Sequence, residues 1–580
     1  MSWAAECAPP RKCIFSDARN ILTFSSLGER ADRAGLLFGR SQPSKFTSDV
    51  NKNIMKILIA DNVSERAREV LQAEKSWEVV YLPKKANAAV ADEIQDADAL
   101  VVRSATKVTA ALLERATRLR VIGRAGSGVD TVDLDAATKK GIVVMNTPGG
   151  NAVSVAEHTL GLLLALARRI PEADSLLKQG KWEKKKLTGI ELRSKTLGLV
   201  GFGNIGREVA RLAQALGMTV LASDPFVSSR LAQEQDVRLV SLEELLKESD
   251  FLSLHAASTA ENHHLINAKT LALAKPGLRI VNCARGELVN QRDLLAALES
   301  GQVGGAGLDV FETEPPQDTR LLNHPRVIVT PHIAGSTEEA QEIVGIRIAE
   351  QVRDYLLLGV PRNAVNMPPI SPEEYQKLAP YLQLGEHLGT FLAQVAGERI
   401  SEASISYDGG LAELNTHLVK NAVLKGILKK ALSDRVNIVN AGTLAQARGI
   451  EVLELHSTRR AAFSHSLGLA LRTETGSASA LAMVGLRGNL RILGIDELDI
   501  EAPLQGRHVY IRNQDVPGVI GRIGTILGDH KINIANFALG RNTQGGEAVG
   551  LVQVDDHVPE EVLAEIRSIP AIRVARVVEI

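Results

Sequence analysis

The sequence predicts an α/β chain with two doubly wound parallel sheets in succession, then a mixed α+β stretch, then a small βαββαβ unit. Three observations carry this. From Met55 onward short β-branched runs (KILIA, EVVYL, ALVV, RVIG, IVVM) alternate with amphipathic segments such as SERAREVLQAE. Alternation of that kind is the mark of strands covered by helices. A second alternating series begins at TLGLV (196–200) and runs through TVLAS, FLSLH, RIVNCA, GAGLDV and VIVTPH. The end of the chain reads as strand HVYIR, turn DVPG, a helix through Leu527, strand INIANFAL, a Gly-rich turn, strand AVGLVQV, a helix and strand RVARVVEI.

The remaining elements fall between these. At 580 residues the chain exceeds one core and predicts about three or four domains. Residues 1–54 carry scattered Arg and Ser without periodicity and read as a disordered extension or a start upstream of the natural one, with an organelle-type leader as the alternative. HTLGLLLALARR (158–169) is apolar but far shorter than the ~20 residues of a membrane span, so it is expected as a buried helix. Residues 338–359 have helical periodicity, closed by MPP at 367–369. Residues 370 to about 505 mix helices and strands and contain no motif with evident chemistry. A net charge of −1 argues against a nucleic-acid coat or a membrane-surface protein. The cysteines, Cys7, Cys13 and Cys283, form neither a disulfide framework nor a zinc spacing, so no metal is expected and a reducing compartment is.

One stretch specifies a nucleotide site. In TLGLVGFGNIGREVARLAQALGMTVLASDP a strand leads into Gly201-x-Gly203-x-x-Gly206, which opens a helix, and the next strand ends in Asp224. Gly201 allows the tight turn, Gly203 the approach of a pyrophosphate and Gly206 the close packing of helix on strand. The helix N-terminus adds free N–H donors. Asp224 suits a ribose diol and repels a 2′-phosphate, which favours NAD over NADP.

Three more stretches sit where strands of the same domain should end: NCARGELV with Arg285, GAGLDVFETEPP with Glu314 and TPHIAGST with His332. Oxidation of a carbinol requires loss of the hydroxyl proton as well as the hydride, and a histidine suits that transfer near neutral pH. A glutamate on the other ring nitrogen would set the tautomer, and an arginine would hold a substrate carboxylate through paired bonds. Taken singly these residues are equally a surface ion pair, a turn residue and a core histidine. Their order after the glycine turn favours chemistry.

GFGNIG, NCARGELV, GLDVFETEPP and TPHIAGST, in this order and spacing, resemble the D-isomer-specific 2-hydroxyacid dehydrogenases. The resemblance runs from about Met55 to Ile580. It implies a discontinuous substrate-binding domain (55–152 and 335–368), a Rossmann NAD-binding domain (153–334), an intervening regulatory domain (369–505) and an ACT domain (506–580). It assigns Arg285, Glu314 and His332 to catalysis. It assigns contacts with NAD to Ser127, Gly201, Gly203, Asn204, Ile205, Gly206, Asp224, Cys283, Ala284, Arg285, Asp309, His332 and Gly335. Two departures from the family pattern stand out: His255-Ala256-Ala257 where His-Thr-Pro or His-Val-Pro is common, and Asn204 where arginine is common.

VVRSATKVT, GRAGSGVD and MNTPGGN resemble the branch of this family that oxidises 3-phospho-D-glycerate at the entry to L-serine biosynthesis. A phosphorylated acid needs cations, and Arg103, Ser104, Arg124 and Arg285 are the expected anchors. Lys184, Lys185 and Lys186 are expected as a solvated charge run. In the tail, Asn513, Asp515 and Asn533 match the serine-binding positions of ACT domains, implying L-serine as a feedback effector. The expectation is thus a cytoplasmic homodimer or homotetramer with no nucleic-acid or membrane partner. A glyoxylate or hydroxypyruvate reductase, and an NAD-sensing co-repressor on the same scaffold, are the alternatives.

Overall fold

A computed structural model describes residues 54–82, 87–397, 399–432, 436–457, 465–474 and 476–580. The expected N-terminal extension, with Cys7 and Cys13, lies outside these except for Ile54. The first sheet contains β1 (Met55–Ala60), β2 (Trp77–Leu82), β3 (Ala99–Val102), β4 (Val121–Arg124) and β5 (Val143–Met145), all parallel, in the order β2-β1-β3-β4-β5. Its strands β3 and β5 are buried on both faces, hence their continuous apolar runs, whereas the edge strand β2 is only partly covered. The order reverses between β1 and β3. A crevice therefore opens beyond their carboxyl ends, where open α/β sheets bind ligands.

The second sheet contains β6 (Thr196–Val200), β7 (Thr219–Ser223), β8 (Arg238–Leu239), β9 (Phe251–Leu254), β10 (Leu278–Asn282), β11 (Val303–Leu308) and β12 (Val327–Val329). Its order is β12-β11-β10-β9-β6-β7-β8, also parallel throughout, with its reversal between β6 and β9. The helix Ala152–Arg168 buries Val155, Leu162, Leu163 and Leu166 against this sheet. It is buried on one side only, since Val153 and Leu164 are exposed. No helix among the described residues is long and apolar enough to cross a membrane.

The chain then returns to the first sheet. Ile348 and Val352, on the helix Glu338–Leu358, press so closely on Gly123 of β4 that a Cβ there would lie 2.7 and 2.8 Å from them. Farther on, Val365 N–H donates to Val144 O (2.8 Å), and Val144 N–H to Asn366 Oδ1 (2.9 Å). The two sheets are thus joined by two crossings of the chain.

The intervening region is α+β. Its strands β13 (Ile400–Gly409), β14 (Glu451–Ser457), β15 (His465–Thr473), β16 (Gly476–Val484), β17 (Leu490–Ile495) and β18 (Leu498–Pro503) form one sheet in the order β14-β13-β15-β16-β17-β18. The helices Pro372–Ala396 and Thr416–Leu432 cross at glycines: a Cβ at Gly389 would lie 2.2 Å from Val423 O, and one at Gly426 2.1 Å from Glu386 O. The tail has β19 (Arg507–Gln514), β20 (Ile534–Arg541), β21 (Glu547–Val554) and β22 (Ile572–Glu579) in the antiparallel order β20-β21-β19-β22, with two helices. Tyr510, Val549, Leu551 and Val578 share one core with Ile500, Ala502 and Leu504, so tail and intervening region are packed together.

Candidate active site

The glycine turn after β6 has two kinds of glycine. Gly201 has φ +92°, and a Cβ on it would lie 2.8 Å from the backbone of His255 and Ala256; one on Gly206 would lie 2.4 Å from Gly201 O. Packing and conformation require both. Gly203 is different: φ is −78°, and a Cβ there would meet nothing among the described residues within 4 Å. The chain itself gives no reason for a glycine at 203, whereas a pyrophosphate lying on that backbone does. The helix that follows, Asn204–Ala215, has no capping side chain, which leaves its first N–H groups for an anion. The turn thus fits a dinucleotide.

Around this turn the other expected cofactor residues take definite places. Asp224 accepts from the N–H of Phe202 and of Phe226, both at 2.8 Å, which fixes its carboxylate beside the turn. Ile205 packs into the core behind. Asn204 lies against Gly149 of the PGG turn, its Nδ2 3.0 Å from where a Cβ would be, and accepts from Arg207 Nη2 (2.8 Å). His255 is bonded to Ser253 Oγ at 2.8 Å, and burial pushes its pKa down to about 3, so this imidazole is neutral. Ser127 Oγ donates to Asn151 Oδ1 (2.8 Å), and Asn151 in turn presses on Gly335. Cys283 is buried and its thiol pushed up to about 12, and beside it Ala284 N–H donates to Asn282 Oδ1 (3.0 Å) while Ala284 O accepts from Arg285 Nη1 (2.7 Å).

Two of the three chemical residues meet. His332 Nδ1 lies 2.8 Å from Glu314 Oε2, and Phe311 N–H donates to Glu314 Oε1 (3.2 Å). An ionised carboxylate only accepts, so Nδ1 carries the proton and Nε2 bears the lone pair of the neutral ring. Nε2 has no hydrogen-bond partner among the described residues, and the ring is half exposed. His332 adopts φ +53°, an uncommon conformation for a non-glycine residue, which its surroundings hold in place. Its N–H donates to Asp309 O (2.8 Å). Arg285 precedes Gly286, which abuts Phe311 at the start of the stretch that carries Glu314: a Cβ on that glycine would lie 1.9 Å from Phe311 C. The guanidinium reaches across to the first domain, where Arg285 Nη2 donates to Asp130 Oδ2 (2.8 Å) over Gly128.

Asp309 is fully buried, and its carboxylate accepts from Thr330 Oγ1 (2.5 Å), Ile333 N–H (2.9 Å) and Ala334 N–H (2.8 Å). It acts as the anchor of the histidine loop from below. Asp309→Asn replaces one acceptor oxygen with a donor facing a donor and should cost about 1–3 kcal/mol locally. The expected result is faster hydrogen–deuterium exchange in the peptide covering 330–337 and a lowered kcat. Unchanged exchange there would exclude the anchoring role.

On the other side of the cleft three guanidiniums gather. Arg124 ends β4 and lies over Gly126; its Nε is buried with no partner among the described residues. Burial, then the positive charges of Arg285 and Arg103, push its pKa below the ordinary arginine value. Burial does the same to Arg103, partly offset by Asp61. Asp61 pins the 103–107 loop, accepting from Arg103 N–H (2.8 Å), Thr106 N–H (3.1 Å) and Thr106 Oγ1 (2.6 Å). Ser104 is exposed on that loop. Cations that burial and mutual repulsion both disfavour form a site for an anion. Lys184, Lys185 and Lys186 are exposed.

In the tail, Asn513 and Asp515 line one hollow beside Pro517 and Gly518. Asn533 is not with them; it lies at the start of β20 and donates to Asp555 Oδ2 (2.6 Å). Asp61, Asp130 and Asn151 went unread in the sequence, although Asp61 lies just past β1 and Asn151 at a helix start, positions from which loops are pinned; Asp130 sits in a turn between β4 and the next helix.

Comparisons with known proteins agree with this geometry. Residues 160–334 match the D-isomer specific 2-hydroxyacid dehydrogenase NAD binding domain, 377–496 the D-3-phosphoglycerate dehydrogenase intervening domain and 508–571 the ACT domain. The D-3-phosphoglycerate dehydrogenase of Synechocystis sp. is 42% identical over 527 residues, covering 90% of this chain and 95% of that protein. The chain belongs to the D-3-phosphoglycerate dehydrogenase family. Its relative from Methanocaldococcus jannaschii is 41% identical over 528 residues, covering 91% of this chain and 100% of that protein. A glyoxylate reductase structure from Paecilomyes thermophila superposes with a TM-score of 0.50 at 30% identity, covering 55% of this chain and 99% of that one. The family's NAD binding domain contains Gly201, Arg285, Glu314 and His332, whereas Arg103 and Arg124 lie outside it.

Proposed function

We propose that this protein oxidises 3-phospho-D-glycerate to 3-phosphohydroxypyruvate with NAD, the first step of L-serine biosynthesis, and that its tail senses L-serine. The observation that carries this is the His332–Glu314 pair, in a chain that also gathers the guanidiniums of Arg103, Arg124 and Arg285 and has a glycine turn fit for a dinucleotide. Arg285 binds the carboxylate and polarises the C2 oxygen, and Arg103 and Arg124 take the phosphate. His332 Nε2 accepts the C2 hydroxyl proton, and Glu314 steadies the imidazolium through Nδ1–H. Bound NAD supplies the hydride acceptor for the C2 hydrogen. Asp224 receives the adenosine ribose diol. A cytoplasmic homodimer or homotetramer is the proposed form.

The test is NADH formation from 3-phospho-D-glycerate and from D-glycerate, with and without L-serine. Preference for the phosphorylated acid, reduced by L-serine, is expected. Equal turnover of both acids, unaffected by L-serine, would leave a general 2-hydroxyacid dehydrogenase in its place.

A further inference from the structure

The hollow in the tail holds a charge pair in which one matched serine-binding position, Asp515, is held by a residue outside that set, Arg541. Arg541, the last residue of β20, reaches over to Asp515, with Nη1 2.8 Å from Oδ2; Gly545 N–H also donates to that oxygen (3.3 Å). Asp515 N–H in turn donates to Gly546 O (2.9 Å). The pair therefore fastens the turn between β20 and β21 onto the loop that enters the helix Val519–Asp529. The carboxylate is 18% exposed and the guanidinium 55%, so Arg541 can move into water while Asp515 stays in the hollow. An ion pair with one partner so exposed is weak and easily displaced. The hollow measures about 240 Å³. At ~30 Å³ for each water-sized group, that is room for about eight, close to the size of a small α-amino acid. Val516, Ile520 and Leu539 form its apolar wall.

We propose that Arg541 is a ligand-displaced latch and the carboxylate-binding residue of this hollow. The incoming α-ammonium group takes Asp515, and the released guanidinium closes on the α-carboxylate. One internal ion pair is exchanged for two with the ligand, which selects zwitterionic amino acids. The turn freed in this exchange continues β20, whose Gly540 lies directly on β18 of the intervening region: a Cβ on Gly540 would be 2.4 Å from Asp499 O. This inference rests on the reading of the tail as an amino-acid sensor.

The test is calorimetric titration of the full chain and of its Arg541→Gln variant with L-serine and with L-serinamide, which keeps the ammonium and lacks the carboxylate. The parent should bind L-serine at least tenfold more tightly than L-serinamide. Arg541→Gln should lose at least tenfold for L-serine while binding L-serinamide as well as the parent or better, because the competitor for Asp515 is gone. Arg541→Lys should recover part of the L-serine affinity. Undiminished L-serine binding by Arg541→Gln would overturn the latch and place the carboxylate at the helix N-terminus. Equal loss of both ligands would reduce Arg541 to a structural residue and overturn it as well. A parent that binds neither compound would overturn the sensor reading itself, and the latch with it.

Discussion

His332→Ala is expected to lower kcat for 3-phospho-D-glycerate oxidation by about 10²–10⁴-fold, the usual range for a general base. The KM for NAD should change little, because the glycine turn and Asp224 stand on β6 and β7, away from the histidine loop. Glu314→Gln should give a smaller loss of the same kind. A carboxamide can still accept from Nδ1–H, but it no longer offsets the positive charge that appears on the ring. Steady-state kinetics with folding checked by circular dichroism decide the matter. A His332→Ala enzyme within tenfold of the parent would remove His332 from proton transfer.

Arg124→Met should separate binding from stability. Arg124 lies beside Arg103 and Arg285, and its Nε has no partner among the described residues. Loss of a charge-assisted partner to a bound anion costs about 2–5 kcal/mol, so KM for the phosphorylated acid should rise by roughly 10²-fold or more. The melting temperature without substrate should stay level or rise, because the substitution relieves repulsion between guanidiniums while keeping an apolar stem. An unchanged KM would dismiss the anion site. A large fall in melting temperature would make Arg124 a structural residue.

The second sheet and its site were the most legible parts of the sequence. β6, the glycine turn and β7 are contiguous, so a local pattern suffices to place a strand, a turn and a helix start. The tail was equally plain, because its alternation is short-range and each strand is bounded by turn residues. The intervening region was readable only as α+β. Its helices meet through Gly389 and Gly426, and a close approach of backbones leaves almost no periodic signal. The pins of the active site were missed for a related reason. Asp61 holds a loop that begins 42 residues later, and Asp130 meets an arginine 155 residues away. Neither pairing has a local sequence signature. Asn533 shows the reverse limit: matched by position to Asn513 and Asp515, it lies apart from them within one chain because antiparallel pairing puts the start of β20 beside the end of β21.

By itself the sequence determined the fold class and the strand–glycine turn–helix of the second sheet, and it singled out Arg285, Glu314 and His332 as candidates. Each is written in short-range alternation or in residue types whose chemistry has few other uses. Tertiary structure alone decided that His332 and Glu314 meet, that the Asp309 carboxylate is spent on the histidine loop, and that Arg124 lies near Arg285 and Arg103 with its Nε unpartnered among the described residues. Those outcomes depend on where strand ends and returning loops come to lie. That is set by burial of the two parallel sheets and the return of the helix Glu338–Leu358, not by any neighbour in the chain.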